Sequence, residues 1–530
     1  MKIYYCLSTL LFSFATANNI SLRGGDDPYA ECEVLKNPTE CATSEKCTWC
    51  ECAAVPSMCV PSDQASNLPP SVWSCHSTPS ESSKTEKIYK YPHLSQSHSF
   101  SSEPIESDFC DPESPLSLSG YMSVEGSKFD KKDDKELFYW FFESRNKVEG
   151  KTPPLIVWLT GGPGCSSTLA LLFENGPCKV NESGDGTVSN PNSWNTNAHM
   201  LWLDQPAGVG FSYGATNDSN EEMISEDAYY FLQAFFKTHP EYLTSELFIV
   251  GESYGGHYAP AIAHRVMVGN QQNLPGTHQL KLTGLGVGNG LTDPAIQYQY
   301  YAEMAYNNSH GIKCVDENAY ESMKKATSTC VSMIDSCNSG GWFSSFSCQA
   351  SYAYCNTKVT GPYSQTGLNP YDIRKQCGDN DLCYDFTNIE KFLNLESTRK
   401  ALHVTEKSSK WESCNMNVNM KFTGDFTRSY ASEVADLLNN GIRTVIYAGD
   451  VDFICNYMGN RAWTQALDWN HKEEFNQSED VDWFNGSGMV RSSNGFTFLQ
   501  VYDAGHMVPA DQPEAALQLI NSFIAGENFV

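Results

Sequence analysis

Residues 247–255 read Leu-Phe-Ile-Val-Gly-Glu-Ser-Tyr-Gly, and this stretch decides the fold. The apolar run at its start predicts a buried strand, and residues 256–263 predict a helix directly after it. A G-x-S-x-G turn between a strand and a helix holds its serine in a strained conformation, with the hydroxyl exposed above the sheet edge. We therefore predict that Ser253 is a nucleophile, against the alternative of a chance match in a loop.

Short apolar runs recur along the chain from about residue 106. They predict buried strands at 155–159, 200–203, 248–250, 282–287, 444–448 and 496–501. Residues 136–143 predict an earlier antiparallel strand, and residues 225–236 an amphipathic helix. Apolar runs separated by helical stretches are typical of a mostly parallel sheet covered on both faces. We therefore expect the α/β class and, given the serine turn, an α/β-hydrolase fold over residues 106–530.

The αβ pattern is lost between about residues 310 and 425. Eight cysteines occur in this region, from Cys314 to Cys414. We interpret it as an insertion that caps the sheet and is held together by disulfides.

The N-terminal region differs in composition from the rest of the chain. Residues 1–17 are typical of a secretory signal, because one lysine precedes an apolar stretch that ends in Ala15-Thr16-Ala17. Seven cysteines crowd residues 18–76 and predict a small disulfide-rich module; zinc is disfavoured because no histidine precedes His76. Residues 77–105 are rich in serine and proline and predict an exposed linker.

Composition excludes several classes of partner. The 530 residues carry a formal net charge of −28, which disfavours nucleic acid and anionic membranes. No segment after the signal offers the roughly 18 apolar residues of a membrane span. We expect passage through the secretory pathway, to a lysosome or vacuole or to the outside of the cell. N-x-S/T triplets at Asn181, Asn217, Asn307, Asn476 and Asn485 are compatible with glycosylation.

A nucleophilic serine needs a base and a group that orients the base. In α/β-hydrolases the chain order is serine, then an acid, then histidine. Asp450 and Asp452 follow one predicted strand and His506 follows another, so all three lie where such sheets place their chemistry. The residues alone do not separate Asp450 from Asp452.

Five motifs in this order resemble those of the serine carboxypeptidase family, over about residues 106–525. They are the glycine-rich turn at 159–167, the segments 204–213 and 251–256, the acidic loop at 449–456, and Gly505 to Pro509. The resemblance implies a triad of Ser253, Asp452 and His506. It also implies an oxyanion hole built from the backbone N–H groups of Gly162 and Tyr254. The N-terminal module lies outside this resemblance; it resembles the cysteine-rich module of plexins, semaphorins and integrins.

Members of that family cut residues from peptide C-termini, so their site must bind a free carboxylate. The resemblance assigns this binding to Trp158, Thr160, Glu174 and Glu252. Two neighbouring carboxyls can share a proton and donate a hydrogen bond to an anion, which predicts best binding at acidic pH. Thr160 departs from the asparagine of many members, although its hydroxyl can still donate.

The cysteine count predicts an unpaired thiol. The chain has twenty cysteines, and removal of Cys6 with the signal would leave an odd number. The resemblance implies that Cys455 is free beside the active site. It also implies disulfides Cys165–Cys414 and Cys377–Cys383.

Together these observations predict a serine-type carboxypeptidase that works through an acyl-enzyme at acidic pH. Two alternatives remain: an acyltransferase on the same scaffold, and a binding or protective partner that uses the N-terminal module. We expect peptides or proteins as substrates, no cofactor and no metal. A homodimer is left open.

Overall fold

A computed structural model describes residues 41, 44, 46–52, 58–62, 73–76, 101–106, 109–132, 134–146, 152–339, 344–380, 382–527 and 529. The chain divides into two compact units, residues 1–90 and residues 91–530. The predicted signal at 1–17 and most of the predicted linker, 77–100, lie outside the described residues.

The first unit contains a small antiparallel sheet. Its strands are β1 (Cys47–Cys52), β2 (Met58–Pro61) and β3 (Trp73–His76), in the order β2-β1-β3. A disulfide joins Cys41 to Cys59, which fits the prediction of a disulfide-rich module.

The second unit is built on a large mixed sheet with the order β14-β15-β16-β13-β12-β11-β7-β10-β6-β5-β4. The strands of this unit are β4 (Ser101–Pro104), β5 (Ser117–Ser123), β6 (Glu136–Phe142), β7 (Leu155–Thr160), β8 (Cys178–Val180), β9 (Thr187–Ser189), β10 (His199–Leu203), β11 (Leu247–Glu252), β12 (Leu282–Gly288), β13 (Arg443–Gly449), β14 (Val481–Trp483), β15 (Gly488–Ser493) and β16 (Phe496–Val501). Strands β8 and β9 pair with each other as a separate hairpin.

The centre of the sheet is parallel and both of its edges are antiparallel. Strands β10, β7, β11, β12, β13 and β16 run parallel to their neighbours in this series, whereas β6, β5 and β4 at one edge, and β15 and β14 at the other, pair antiparallel. The expectation of a mostly parallel sheet therefore holds for the central strands only. Residues 101–104, expected to end the linker, instead form the edge strand β4, so the sheet begins before the expected boundary at 106.

Helices cover both faces of the sheet. They are α1 (Ser167–Ala170), α2 (Glu221–Thr238), α3 (Gly255–Gln272), α4 (Pro294–Gln297), α5 (Tyr301–Tyr306), α6 (Glu317–Asn338), α7 (Ser344–Cys355), α8 (Gly361–Ser364), α9 (Thr387–Leu393), α10 (Glu396–Ala401), α11 (Met416–Lys421), α12 (Ala431–Asn439), α13 (Tyr457–Ala466), α14 (Lys472–Gln477), α15 (Val508–Asp511) and α16 (Pro513–Ala525). The predicted helix at 225–236 lies inside α2, and every predicted central strand lies within one or two residues of the observed one.

Strand β7 shows why the central strands read as continuous apolar runs. Leu155, Val157 and Leu159 pack into one core cluster, whereas Ile156 and Trp158 pack into the cluster on the opposite face. Because side chains alternate along a strand, a strand that is covered on both faces needs an apolar residue at every position.

The predicted cap insertion is mainly helical. Disulfides Cys330–Cys355, Cys337–Cys348 and Cys377–Cys383 lie within it. Cys414 is instead bonded to Cys165, which fastens the end of the cap to the glycine-rich turn after β7. Across the described residues, no helix combines the length and apolar character that a membrane crossing requires.

Candidate active site

Ser253 occupies a strained turn between β11 and α3. Its φ of 64° lies in the left-handed region, which a residue with a side chain rarely adopts. The two motif glycines make room for this turn, since a Cβ at Gly251 would lie 2.6 Å from the Gly255 carbonyl oxygen, and a Cβ at Gly255 would lie 2.8 Å from that of Leu159. The turn leaves Ser253 half-buried at the carboxyl end of the sheet.

A buried acid–imidazole pair forms where β13 and β16 end side by side. His506 Nδ1 lies 2.8 Å from Asp452 Oδ2. Asp452 is fully buried, and it also accepts hydrogen bonds from Asn289 Nδ2 at 2.8 Å and from the Ile454 N–H at 3.1 Å. The contacts with His506, Asn289 and Ile454 hold the Asp452 carboxylate in place. The carboxylate can therefore fix the tautomer and the orientation of the imidazole.

Asp450, the other acid that the sequence left open, makes different contacts. Its Oδ2 lies 2.9 Å from His310 Nε2, and its Oδ1 accepts from the Asp503 N–H at 2.8 Å. The structure therefore places Asp452, and not Asp450, against His506.

Ser253 is tied to the same strand ends through its backbone. Its N–H donates to the Gly288 carbonyl at 3.1 Å, and the next residue, Asn289, bonds to Asp452. No hydrogen bond joins Ser253 Oγ to His506 in the described part of the chain. In many serine hydrolases this contact is long or poorly aligned outside the reacting complex.

The two predicted oxyanion donors lie on loops that approach each other closely. A Cβ at Gly161 would lie 2.3 Å from the backbone nitrogen of Tyr254, so only glycine fits there. Neither the Gly162 N–H nor the Tyr254 N–H donates to any acceptor among the described residues. Two unspent donors beside a nucleophile can bind a developing negative charge.

Glu174 and Glu252 form a buried acid pair next to the nucleophile. Glu252 ends β11, Glu174 lies in the π-helical turn Leu171–Asn175, and each residue is 1% exposed. Among the described residues, no other group donates a hydrogen bond to either carboxyl oxygen of Glu174 or to Glu252 Oε2. The two carboxyls act on each other, and neighbouring buried carboxyls do not both ionise readily.

Burial sets the protonation of this pair. It raises the pKa of Glu174 from 4.5 to about 7, which hydrogen bonding to Glu252 and the charge of His506 partly offset. Burial, followed by the charge of Glu174, raises the pKa of Glu252 well above its ordinary value. The pair thus holds at least one proton under acidic conditions.

Trp158 and Thr160 lie beside the acid pair on the neighbouring strand. Strands β7 and β11 are in register, with Thr160 opposite Glu252. Trp158 Nε1 donates to Thr160 Oγ1 at 3.0 Å, so the hydroxyl hydrogen of Thr160 remains available for another acceptor. All four residues predicted to bind a substrate carboxylate thus lie on adjacent segments at this strand end.

Cys455 is a free, buried thiol in the acidic loop. Its Sγ, a carboxylate oxygen of Asp452 and a ring nitrogen of His506 lie within 4.8 Å of one another. Burial, and then the charges of Asp452 and Glu252, raise the pKa of this thiol well above its ordinary value. The three groups are of types that can ligate a metal, but the Asp452–His506 hydrogen bond already engages two of them.

Both disulfides that the resemblance implied are present, Cys165–Cys414 and Cys377–Cys383. The disulfide Cys110–Cys178 and the two disulfides within the helical part of the cap were not predicted. Cys314 is a second free thiol, and it is buried.

The five predicted glycosylation sites differ in accessibility. Asn217, Asn307 and Asn485 are exposed, whereas Asn181 and Asn476 are half-buried. Asn476 Nδ2, the atom that would carry a glycan, donates to the Gln465 carbonyl at 2.9 Å.

One functional residue was missed by the sequence analysis. Asn289 bonds to the triad acid and follows β12 directly. Its signal was available, because polar side chains that follow central strands lie at the edge where such sheets place their chemistry.

A serine in a strained strand–helix turn, with an acid and a histidine at the ends of neighbouring parallel strands, defines an α/β-hydrolase with a nucleophilic serine. The family model described as serine carboxypeptidase matches residues 111–526. The chain therefore belongs to the serine carboxypeptidase family and is a peptide hydrolase of that class.

Individual relatives agree with this placement. Carboxypeptidase Y of Komagataella phaffii (strain GS115) is 43% identical over 415 residues, covering 77% of this chain and 76% of the relative. Carboxypeptidase Y of Candida albicans is 42% identical over 415 residues, covering 77% and 73%. Among solved structures, Kex1Δp, a prohormone-processing carboxypeptidase from Saccharomyces cerevisiae, superposes with a TM-score of 0.70 at 27% identity, covering 80% of this chain and 95% of that one.

Proposed function

We propose that this carboxypeptidase releases single residues from peptide C-termini through an acyl-enzyme and works best at acidic pH. The observation that carries the proposal is the buried pair of Glu174 and Glu252 directly beside Ser253. A site for ordinary esters would gain nothing from two carboxyls that lack other donors, whereas a site for a free carboxylate gains a protonated donor.

In the first half-reaction, Ser253 Oγ attacks the carbonyl carbon of the last peptide bond. His506 Nε2 accepts the serine proton, and Asp452 stabilises the imidazolium that forms. The carbonyl oxygen becomes an oxyanion, which the N–H groups of Gly162 and Tyr254 bind. The C–N bond then breaks, and His506 returns its proton to the leaving amine, so that an ester on Ser253 remains.

In the second half-reaction, water takes the place of the departed amine. His506 accepts a proton from this water, and the new C–O bond forms through a second oxyanion in the same hole. The serine ester bond breaks and Ser253 regains its proton from His506. The products are the shortened peptide and the free C-terminal residue.

The acid pair binds the substrate carboxylate through its proton. With one proton on Glu174 and Glu252, the pair donates to the anion; without it, two negative charges repel the anion. Burial raises the pKa of Glu174 to about 7 and the pKa of Glu252 well above its ordinary value, so the binding-competent form is fully present in acid and is lost only as the pH rises far enough to remove the last proton of the pair. Thr160 adds its hydroxyl hydrogen, because its oxygen already accepts from Trp158.

We also propose passage through the secretory pathway. The disulfides in both units support this, since such bonds persist in oxidising compartments. Lysosomal, vacuolar or extracellular localisation, a homodimer and a binding role of the N-terminal module stay predictions. A truncation that starts at residue 91, where the second unit begins and before edge strand β4, tests the last of these: it should abolish partner binding and keep peptidase activity if the module is a binding element.

Paired substrates test the proposal and separate it from the acyltransferase alternative. The substrates are an N-blocked dipeptide and its C-terminal amide, measured at about pH 5 with and without an added alcohol acceptor. We expect hydrolysis of the free acid to be much faster than that of the amide, and Ser253→Ala to be inactive on both. Equal rates on acid and amide, or transfer to the alcohol in place of hydrolysis, would contradict the proposal.

A further inference from the structure

The side-chain hydroxyl of Tyr254 is hydrogen-bonded to a buried carboxylate, that of Asp425, and this bond holds the residue in place. The hydroxyl donates to Asp425 Oδ2 at 2.8 Å, while the backbone N–H of the same residue, next to Ser253, donates to no acceptor among the described residues. The Tyr254 ring stacks on His257 at a centroid distance of 4.4 Å and packs against Phe426 at 5.4 Å. Because a side chain and its own backbone are covalently joined, whatever holds this hydroxyl also holds the oxyanion donor.

Asp425 is the acceptor that holds the Tyr254 hydroxyl, and it makes several other contacts. It is fully buried and accepts a second hydroxyl, that of Tyr430, at 3.0 Å. Arg428 Nε lies 3.7 Å from its Oδ1, and the backbone N–H of Glu221 lies against the same carboxyl. Asp425 belongs to the end of the cap, so it connects the cap to the residue that carries the oxyanion N–H.

Glu221 is a second buried acid at the same place. It is the first residue of α2, it is 1% exposed, and neither of its carboxyl oxygens receives a hydrogen bond. An ionised carboxyl without donors is too costly to bury, so Glu221 carries a proton. Burial, followed by the charges of Asp425 and Glu433, raises its pKa well above the ordinary value. Burial likewise raises the pKa of Asp425 to about 6.

We propose that Glu221 and Asp425 form a second acid pair, the rear pair, in which Asp425 positions Tyr254 by accepting its hydroxyl and Glu221 keeps its own proton. This rear pair then controls turnover, while Glu174 and Glu252 control substrate binding. The proposal rests on the proposed role of the Tyr254 N–H as an oxyanion donor. Asp425 and Glu221 act through Tyr254 and do not touch the substrate, so they are positioning residues.

In the described part of the chain, one cation lies close to the rear pair: Arg428, whose Nε is 3.7 Å from Asp425 Oδ1. The titratable and charged groups that face the rear pair are Arg428, Glu433, Tyr254, Tyr258, Tyr430 and His257. Burial lowers the pKa of His257 to about 4, so this ring is neutral above that pH. Asp218 faces Tyr258 from the outer side, and Lys421 faces Asp218. Arg428 can therefore balance one negative charge on the pair, but nothing nearby balances a second.

The sign of the pH effect follows from the raised pKa values. A carboxyl with a higher pKa in the folded state binds more protons when folded, so its contribution to stability is complete below its unfolded pKa of roughly 4. That contribution falls as the pH rises through about 6 for Asp425, and falls further when the last proton leaves the pair. Two buried charges then repel each other, which weakens the hold on the Tyr254 hydroxyl.

A matched pair of variants tests the positioning role. Tyr254→Phe and Tyr430→Phe each remove one hydroxyl from the same carboxylate, but only Tyr254 carries the oxyanion N–H. We expect both to lower Tm by similar amounts, and only Tyr254→Phe to lower kcat, by about tenfold with KM little changed. A wild-type kcat in Tyr254→Phe, or equal losses of kcat in the two variants, would overturn the proposal.

Glu221→Gln tests the role of the proton on Glu221, because glutamine keeps the shape of the neutral acid and cannot ionise. We expect its Tm to fall less than that of the wild type between about pH 5 and about pH 8, and its kcat to persist to higher pH. A peptide amide substrate removes the contribution of the front pair, Glu174 and Glu252, because the amide has no carboxylate for that pair to bind. Tm and kcat profiles that match those of the wild type would overturn the proposal. The Tm readout needs no substrate, so it stands even if the proposed peptidase activity is not found.

Discussion

The front pair, Glu174 and Glu252, leads to a quantitative prediction for the variant Glu174→Gln. The structure raises the pKa of Glu174 from 4.5 to about 7, which corresponds to about 3 kcal/mol of preference for the neutral form at this buried position. In the wild type, the fraction of enzyme able to bind a carboxylate falls about tenfold for each pH unit above the pH at which the pair loses its last proton. KM for a free-acid peptide should therefore rise with the same slope above neutral pH, whereas kcat should change less.

In the variant, this dependence should largely disappear. Glutamine has no proton to lose, and the charge of Glu174 is the second cause of the raised pKa of Glu252, after burial. Removing that charge lowers the pKa of Glu252 toward its ordinary value, while the glutamine amide still offers a hydrogen-bond donor. We expect KM to be higher than in the wild type at about pH 5, and nearly flat up to about pH 8.

The assay is the initial rate of hydrolysis of an N-blocked dipeptide over this pH range, with KM and kcat fitted separately. The C-terminal amide of the same dipeptide is the matched control, because it lacks the anion that the pair binds. Its KM should vary little with pH in either protein. If the KM profile of Glu174→Gln matches that of the wild type on the free acid, the shared proton is not what binds the carboxylate.

Three further predictions concern the triad, the thiol and the glycans. Asp452→Asn should lower kcat by roughly 10⁴-fold because the imidazole tautomer is no longer fixed, whereas Asp450→Asn should keep near wild-type kcat; equal losses in these steady-state assays would refute this assignment. An organic mercurial should inactivate the wild type and the Cys314→Ser variant but not Cys455→Ser, since Cys455 Sγ lies beside the triad; residual activity after treatment decides this. Mass spectrometry after enzymatic deglycosylation should find Asn476 unmodified, because its side-chain amide is already bonded to the protein, and a glycan there would contradict that contact.

The sequence located the centre of the fold well and its edges poorly. The central strands are apolar at nearly every position, so their runs stand out. Residues 117–123 read Ser-Leu-Ser-Gly-Tyr-Met-Ser, and this polar pattern hid β5, the strand next to edge strand β4, which the structure buries at six of seven positions. The hairpin β15–β16 did carry a signal: it turns through Asn494-Gly495, both with positive φ, and Asn-Gly is the strongest short-range hairpin indicator.

Some residues of the site could be predicted from the local sequence, whereas the roles of others depend on tertiary contacts. The nucleophile turn is local, because a strand, two glycines and a helix suffice to predict it. Asp450 and Asp452 are two residues apart, and only the position of His310 on one side and of His506 on the other separates their roles. Asp425 had no local signal, since its importance comes from Tyr254, which is 171 residues away in the chain.

The register of β11 agrees with the proposed removal of one residue at a time. In the proposed mechanism, Glu252 binds the substrate carboxylate and Ser253 attacks the scissile bond, and these are consecutive residues at the end of β11. Consecutive residues of a chain advance by about 3.3–3.6 Å, and an extended substrate advances by the same amount. Only one substrate residue therefore fits between the bound carboxylate and the attacked carbonyl. Because Thr160 lies opposite Glu252 on β7, the neighbouring strand fixes the same distance from the other side.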